Sequence, residues 1–479
     1  MDKFFKISER GSSVRTEIFA GLTTFFAMCY IVVVNPAQVA AGGASGWLAE
    51  LGADSAALGT IWNAVYIASI LVAVIGTLLM AFYAKMPFAQ ACGMGLNSFF
   101  FVSFILPQVI SGGDVVEGYH AGLVIILISG IIFMILSVTG AREYIAKAMP
   151  ECLKKSISAG IGLFITFIGF QNVGIIQDNP YTLTQFVDIH GAIMGDGIIT
   201  VMPAILALIG FLIIVALEKK GIKGNVMIGI IATTVLYYIT TGASISLDMG
   251  QVGQAFKDFA EVGVVGVFQP ESWANAFSPA FVGGVFSAVM YIITFCLVDM
   301  FDTIGTLYGT ATQADMLDEN GDPIDLNKCM ACDSIATLAG AALGTSTCTT
   351  FVESASGVAA GGRTGLTSLV TAGCFFLCLF LTPLASIVPS CATAPALIYV
   401  GVLMLGNFKN VDMSDMKSAA PAFLTLIMMP LTYSIANGIG IGAIAYTLIA
   451  IFTGEFTKKD IMVAVIGLLF CLKFIFITM

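Results

Sequence analysis

Apolar segments of about 17 residues or more recur along the whole chain, and shorter polar stretches separate them. A helix of that length crosses about 30 Å of hydrocarbon, and the alternating pattern of transmembrane β-strands is missing from the sequence. The pattern therefore predicts an all-α polytopic membrane protein. We place the segments at 18–40, 60–83, 87–106, 119–140, 150–172, 198–217, 225–243, 278–307, 331–345, 347–362, 366–388, 392–408, 419–435, 437–453 and 460–477.

The composition agrees with this prediction. The chain has 479 residues, of which 58% are hydrophobic and 10% charged, whereas soluble domains average about 25% charged residues. Residues 1–17 carry charges throughout and lack the apolar core of a signal peptide, so we interpret them as a cytoplasmic N-terminus. The formal net charge of −10 indicates an anionic surface, and we expect no nucleic-acid partner.

The lysines and arginines set the predicted orientation. With a cytoplasmic N-terminus and fourteen spans, only Lys257 falls in an outside loop, and Lys473 falls in the fifteenth segment. Such an excess of inside cations predicts a cell (inner) membrane protein with fourteen spans, while 460–477 is an extra helix that either spans or lies in the interface. The remaining cations are predicted to be cytoplasmic: Lys3, Lys6, Arg10, Arg15, Lys85, Arg142, Lys147, Lys154, Lys155, Lys219, Lys220, Lys223, Lys328, Arg363, Lys409, Lys417, Lys458 and Lys459.

Fourteen spans divide into two sets of seven. A repeat with an odd number of spans must insert in opposite orientations, which is the inverted-repeat plan of many secondary transporters. We therefore predict a 7+7 inverted repeat.

Three acidic residues are predicted to lie deep in the membrane, namely Asp299, Asp302 and Glu353. The other acids fall in loops, termini or segment ends. A charge at the bilayer centre costs about 2.5–3.5 kcal/mol on insertion scales, and we find no lysine or arginine at similar depth. Asp299 and Asp302 share a helix face, so their charges interact and both do not ionise readily. The cluster predicts substrate binding or proton transfer.

Two segments are predicted to be broken helices. In "MPFAQACGMGLNSFF" (86–100), Gly93 and Gly95 permit an extended backbone, and Asn97 offers both donors and acceptors. Residues 346–352 also favour a helix poorly. We expect an extended piece and then a half-helix in segments 3 and 10, with the half-helix starts meeting at the midplane around a polar site. Packing through the small residues Gly357, Gly361 and Gly365 is compatible with this.

Four stretches closely resemble one transporter family: "GMGLNSFF", "VDMFDTIGTL", "VESASGVAAGGRTGLT" and "PALIYVGVLM". The family is that of the azaguanine-like purine permeases, within the nucleobase–cation symporters (nucleobase–ascorbate transporters), and the resemblance runs from about residue 8 to 477. It implies a core domain of helices 1–4 and 8–11 (18–140 and 278–388). It also implies a gate domain of helices 5–7 and 12–14 (150–243 and 392–453).

The resemblance also implies a function and site residues. The family imports purine bases such as hypoxanthine, guanine and adenine, usually with a proton, and the fold implies an elevator-like movement of the core. Carried over by motif, Asn97, Asp299, Phe351 and Glu353 are expected to bind the substrate, with Phe351 stacking on the base. Asp302 is expected to couple the proton, a role that Asp299 could share.

Other functions remain open at this point. An anion carrier or a xanthine/uracil carrier of the same fold is the main alternative. A channel should have polar residues along several helices, and an enzyme should have a nucleophile–base pair or metal ligands; we find neither pattern and expect no enzyme, cofactor or metal site. The preferred purine, H⁺ versus Na⁺ coupling and the oligomeric state, including a homodimer, are left open.

Overall fold

A computed structural model describes residues 2–40, 52–139, 149–179, 181–195, 197–245, 250–313, 316–317 and 323–476. Gly140, Arg142, Lys147 and Ile477, used above as segment ends or charge markers, lie outside these ranges. Within the described part, nine helices are long and apolar enough to cross a membrane, and three shorter apolar helices accompany them. The chain is therefore a mostly helical, multi-pass membrane protein.

The helices and strands are numbered in chain order over the described residues. The helices are α1 Asp2–Phe5, α2 Val14–Met28, α3 Ile31–Val39, α4 Ser55–Leu79, α5 Met94–Phe100, α6 Leu106–Ser111, α7 Val115–Thr139, α8 Glu151–Asn172, α9 Ile189–Met194, α10 Met202–Lys219, α11 Asn225–Thr241, α12 Gly250–Asp258, α13 Pro270–Ala276, α14 Val285–Gln313, α15 Leu326–Leu343, α16 Ser354–Ala359, α17 Gly365–Leu377, α18 Thr382–Ala385, α19 Ser390–Leu405, α20 Met416–Leu431, α21 Ile435–Phe452 and α22 Ile461–Phe476. The strands are β1 Gln90–Cys92, β2 Ile176–Asn179, β3 Leu183–Phe186 and β4 Cys348–Thr350.

Most predicted segments coincide with these helices, but α14 and α15 begin at other residues than predicted. Helix α14 begins at Val285 rather than at residue 278, because Gly283 and Gly284 have φ values of 80° and 88°, which a right-handed helix cannot continue through. Helix α15 begins at Leu326 rather than at 331. The earlier start moves Asp333 from a predicted segment end into the body of a helix.

The helices pack in two groups. Helices α8, α10, α11, α19, α20 and α21 contact one another, and α22 lies against α21. Helices α2, α3, α4, α5, α7, α14, α15, α16 and α17 form the second group together with β1 and β4. Contacts between the groups include those of α8 with α5 and α14, and of α19 with α3. Both groups therefore border the region around the strand pair.

Hydrogen bonds between distant turns identify the two ends of the bundle. Arg10 donates to the carbonyls of Lys85 at 2.9 Å and Arg363 at 3.0 Å, which joins the N-terminal segment to two later turns. We call this end the N-terminal face. Helix α17 leads from Gly365, two residues after Arg363, toward Ser386, whose hydroxyl donates to Gln251 Oε1 at 2.7 Å, and we call this second end the far face. Lys85 and Arg363, both predicted to be cytoplasmic, thus lie on the same face as the N-terminus.

Two small antiparallel sheets depart from a purely helical architecture. Strands β2 and β3 form a hairpin in the polar stretch after α8. Strands β1 and β4 pair within the bundle, with Ala91 opposite Thr349, although 250 or so residues separate them in the chain. This second pair brings the two predicted broken segments together.

Candidate functional site

The strand pair satisfies the backbone groups that the two broken helices leave free. The Gly93 N–H donates to the Thr347 carbonyl at 3.1 Å, and the Phe351 N–H donates to the Ala89 carbonyl at 3.0 Å. Each strand is followed by a short helix, α5 after β1 and α16 after β4. The predicted extended pieces in segments 3 and 10 are thus confirmed, and they compensate each other, as non-helical backbone at membrane depth must.

A cavity of about 300 Å³ lies beside this strand pair. Its wall comes from both helix groups, because α8 and α19 face β4, α5 and α14 across it. Its size is at the small end of the range for small-molecule sites. The lining residues are Gly93, Met94, Gly95, Ser158, Phe301, Asp302, Gly305, Thr306, Thr349, Thr350, Phe351, Val352, Glu353, Val400, Leu403 and Met404.

Two carboxylates, Asp302 and Glu353, are part of the cavity wall, and both are only partly buried. The described lining contains no lysine or arginine. Phe351 also lines the cavity, with 4% of its surface exposed. Three of the five predicted site residues therefore meet in one cavity, which presents hydrogen-bond acceptors beside an aromatic ring.

Glu353 has a partner that the sequence did not suggest. The Tyr30 hydroxyl donates to Glu353 Oε1 at 2.5 Å. Tyr30 is completely buried at the break between α2 and α3, where the helix of the first segment is interrupted. This bond fixes the orientation of the carboxylate through one of its two oxygens. A tyrosine in an apolar segment gives no signal of such a role.

Glycines allow the cavity wall to form. A Cβ built on Gly95 would lie 2.1 Å from Ile161 Cγ2, so a larger residue would push α5 away from α8. A Cβ on Gly93 would lie 3.2 Å from Thr349 Cγ2 and 4.0 Å from Asp302 Oδ2. Asp302 therefore sits beside the start of α5, where the backbone is extended.

Asn97 and Asp299 are not among the residues that line this cavity, so their expected contact with the substrate stays a prediction. Asn97 is fully buried; its Oδ1 accepts from the Ser346 hydroxyl, and its Nδ2 donates to Gln38 Oε1 at 3.4 Å. Asp299 accepts from the Thr337 hydroxyl at 2.9 Å, and its Oδ1 has no hydrogen-bond partner among the described residues. Both side chains face neighbouring elements rather than the open volume.

Burial of acids is not restricted to the three predicted positions. Asp333, inside α15, is fully buried and accepts from Gln90 Nε2 at 3.1 Å and from the Thr303 hydroxyl. Glu17 is also fully buried and accepts from the backbone N–H of Arg363 at 2.9 Å. These carboxylates connect helices, so depth alone does not identify a ligand-binding acid.

Arg363 is not bound to Glu353. Its Nη1 donates to the carbonyls of Val358 at 2.7 Å and Gly362 at 2.8 Å, at the end of α16. One short helix, α16, separates Glu353 from Arg363. The arginine interacts with the carbonyl groups at the end of that helix. Among the described residues, no group of three or more His, Cys, Asp or Glu side chains could hold a metal ion.

Comparison with known proteins decides the family. Residues 15–441 match the model of the xanthine/uracil Permease family. The chain belongs to this family, the nucleobase–ascorbate transporters. It is 39% identical to the guanine/hypoxanthine permease PbuG of Bacillus subtilis, with both chains covered completely. It is 35% identical to the adenine permease AdeP of Escherichia coli, over 100% of this chain and 96% of that one. The family therefore makes this chain a transporter and not an enzyme.

Solved structures share the fold at low sequence identity. The transmembrane domain of the cyanobacterial bicarbonate transporter BicA aligns with a TM-score of 0.58 at 15% identity, covering 88% of this chain and 97% of that one. SLC26A9 aligns with a TM-score of 0.60 at 12% identity, covering 95% and 69%. Both are similar in architecture alone.

Proposed function

We propose that this permease imports purine bases of the hypoxanthine, guanine and adenine class. The observation that carries the proposal is the cavity with Glu353, Asp302 and Phe351 in its wall. The relatives PbuG and AdeP, named for guanine/hypoxanthine and adenine, support this choice of substrate class.

The chemistry of a purine matches the wall. A purine is a flat, neutral ring system with N–H groups and acceptor atoms along its edges. Glu353 can accept from two adjacent N–H groups, and Phe351 offers an aromatic surface against which the ring can lie. A neutral substrate needs no cationic partner, and the described lining has none. An anion would meet two carboxylates, which disfavours the anion-carrier alternative.

The arrangement is consistent with the expected roles of Glu353 and Asp302 and supports different ones for Asn97 and Asp299. We propose that Glu353 binds the base, that Asp302 binds the coupling proton beside it, and that Asn97 and Asp299 support the strand pair. Protonation of Asp302 would lower the cost of carrying an otherwise unpaired carboxylate through the membrane. Only Asn97 and Asp299 thereby differ from the roles that the resemblance implies, in which both contact the substrate.

We further propose the fourteen-span, 7+7 inverted repeat with an elevator-like movement. The helix group of α2–α4, α7 and α14–α17 corresponds to the core domain, and the group of α8, α10, α11 and α19–α21 corresponds to the gate. The cavity lies between them, so sliding of one group against the other would carry its contents. The distribution of lysines and arginines supports a cytoplasmic N-terminus.

Uptake assays test this function. Labelled hypoxanthine, guanine, adenine, xanthine and uracil are offered to cells that lack their own nucleobase carriers and express this chain. We expect purine uptake that a protonophore reduces. A chain that reaches the membrane without transporting a purine would contradict the proposed substrate. Uptake into vesicles that does not depend on a proton gradient would contradict the coupling.

A further inference from the structure

A second cavity, of about 500 Å³, lies at the far face. Its wall is built from α3, α4, α12, the start of α19 and the segment before it. It is separate from the cavity at Glu353, since the two share no lining residue. The orientation proposed above makes it an outward-facing vestibule.

The polar part of its wall is one organised cluster. Asp258, at the end of α12, is 5% exposed. Its Oδ2 accepts from Asn63 Nδ2 and its Oδ1 from Gln254 Nε2, each at 2.7 Å. Each carboxylate oxygen can accept more than one hydrogen bond, so the two amides orient the carboxylate without exhausting it. Among the described residues, Asp258 forms no ion pair with a lysine or arginine.

Beside this cluster the cavity has an aromatic surface. Trp62 lines the cavity and stacks on the buried Tyr66, with ring centroids 5.4 Å apart and planes at 13°. Tyr66 in turn donates its hydroxyl to the Cys378 carbonyl at 2.8 Å, which fixes the stack. A carboxylate and an indole, each oriented by its own partners, therefore line the same cavity. A flat ring with N–H groups on its edge satisfies both.

Two parts of the chain, Tyr30 with α3 and helix α19, connect the walls of the two cavities. On α3, Tyr30 holds Glu353, and Val33, one helical turn further on, lines the second cavity. On α19, Thr393 lines the second cavity and Val400 lines the first, about two turns apart. Helices α3 and α19 contact each other. Their contact therefore forms the barrier between the two volumes.

We propose that the second cavity is an entry subsite, in which an incoming purine base stacks on Trp62 and donates its N–H edge to Asp258 before the contact between α3 and α19 opens. This inference rests on the proposed function. It adds a second, weaker position for the same ligand, in series with the cavity at Glu353.

Tryptophan fluorescence can report this site directly, because the chain has three tryptophans. The Trp47→Phe/Trp273→Phe variant retains Trp62 alone. The matched control, Trp47→Phe/Trp62→Phe, retains Trp273, whose Nε1 donates to the Val267 carbonyl at 2.8 Å and which does not line the cavity. The control corrects for light absorbed by the purine. Both proteins also carry Glu353→Gln, so that the first cavity contributes no tight binding.

In a hypoxanthine titration we expect saturable quenching with Trp62 alone and only the absorption correction with Trp273 alone. Asp258→Asn should raise the midpoint about tenfold, since it removes a charged acceptor. Inositol, which is polar but not flat, should have no effect. Identical responses of the two proteins, or no saturable quenching with Trp62 alone, would overturn the entry subsite.

A second measurement does not require Glu353→Gln. With Glu353 intact and hypoxanthine near the midpoint of the Trp62 response, Asp258→Asn should reduce that response severalfold, while calorimetric affinity at the first cavity changes less than about twofold. An unchanged Trp62 response overturns the inference. The two proposals fail separately: normal purine uptake without a Trp62 response contradicts only the entry subsite, whereas absent purine uptake contradicts the transport function itself.

Discussion

The segments β1–α5 and β4–α16 have the same local design and different chemistry. Each is a three-residue strand followed by a short helix, and the two strands pair with each other. In the first, the polar residue is Asn97, inside the helix and bonded to Ser346 and Gln38. In the second it is Glu353, just before the helix starts and in the cavity wall.

This difference indicates that the position of a polar residue relative to the helix start, more than its depth, decides whether its side chain reaches the cavity. A residue immediately before the half-helix stands at the corner of the chain, where the cavity lies. A side chain within the half-helix points toward the neighbouring element and forms its hydrogen bonds there. This fits the proposal that the first segment supports the site and that the second provides the ligand-binding group. The predictions below challenge that division.

The largest effect is expected in α14, where Asp302 lines the cavity and Asp299 does not. Proton symport with one proton can accumulate substrate about tenfold per unit of pH gradient. Asp302→Asn should lose this accumulation and reach equal concentrations on both sides, because no proton can bind beside the substrate. Vesicles with an imposed pH gradient measure the ratio. The control is Asp299→Asn at matched protein level; accumulation lost only in the control would reverse the assignment.

An intermediate effect is expected at Tyr30, which lies between α2 and α3 and donates a hydrogen bond to Glu353. Tyr30→Phe removes one hydrogen bond and keeps the ring. Hypoxanthine affinity should fall about fivefold, corresponding to about 1 kcal/mol, because the carboxylate loses its fixed orientation. Equilibrium binding to purified protein measures it. Tighter binding in Tyr30→Phe would mean that the tyrosine competes with the substrate for Glu353.

The smallest effect on binding is expected at Asn97. Asn97→Ala leaves Ser346 and Gln38 without their partner, which should cost roughly 1–3 kcal/mol of stability. Hypoxanthine affinity of the folded protein should change less than about twofold. Thermal unfolding in detergent and a binding titration on the same preparation separate the two quantities. A large loss of affinity with unchanged stability would place Asn97 in the ligand site after all.

The sequence alone predicts much of the fold, for physical reasons. Long apolar runs must become helices in a membrane, and glycines with β-branched residues mark where the helices break at Gly93 and Thr349. The same sequence cannot predict the partner of Glu353. Tyr30 lies 323 residues away, and nothing local links the two.

The sequence pattern also does not show which of Asp299 and Asp302 lines the cavity. Three residues apart on a helix, they have similar directions, so the pattern could not separate them. Which of the two meets the cavity depends on how α14 is rotated against α15 and β4. The Thr337 hydroxyl, which binds both Asp299 and the Cys348 carbonyl, belongs to that tertiary arrangement.

The central claim is that Glu353 binds the base and Asp299 does not. Calorimetric titration of hypoxanthine into purified Glu353→Gln and Asp299→Asn, compared with the unmodified protein, tests it most directly. We predict that Glu353→Gln weakens binding by roughly 10- to 100-fold, the range expected for a hydrogen bond to a charged group. Asp299→Asn should change the affinity less than about threefold. Unchanged affinity in Glu353→Gln, or an equal loss in Asp299→Asn, would contradict the claim.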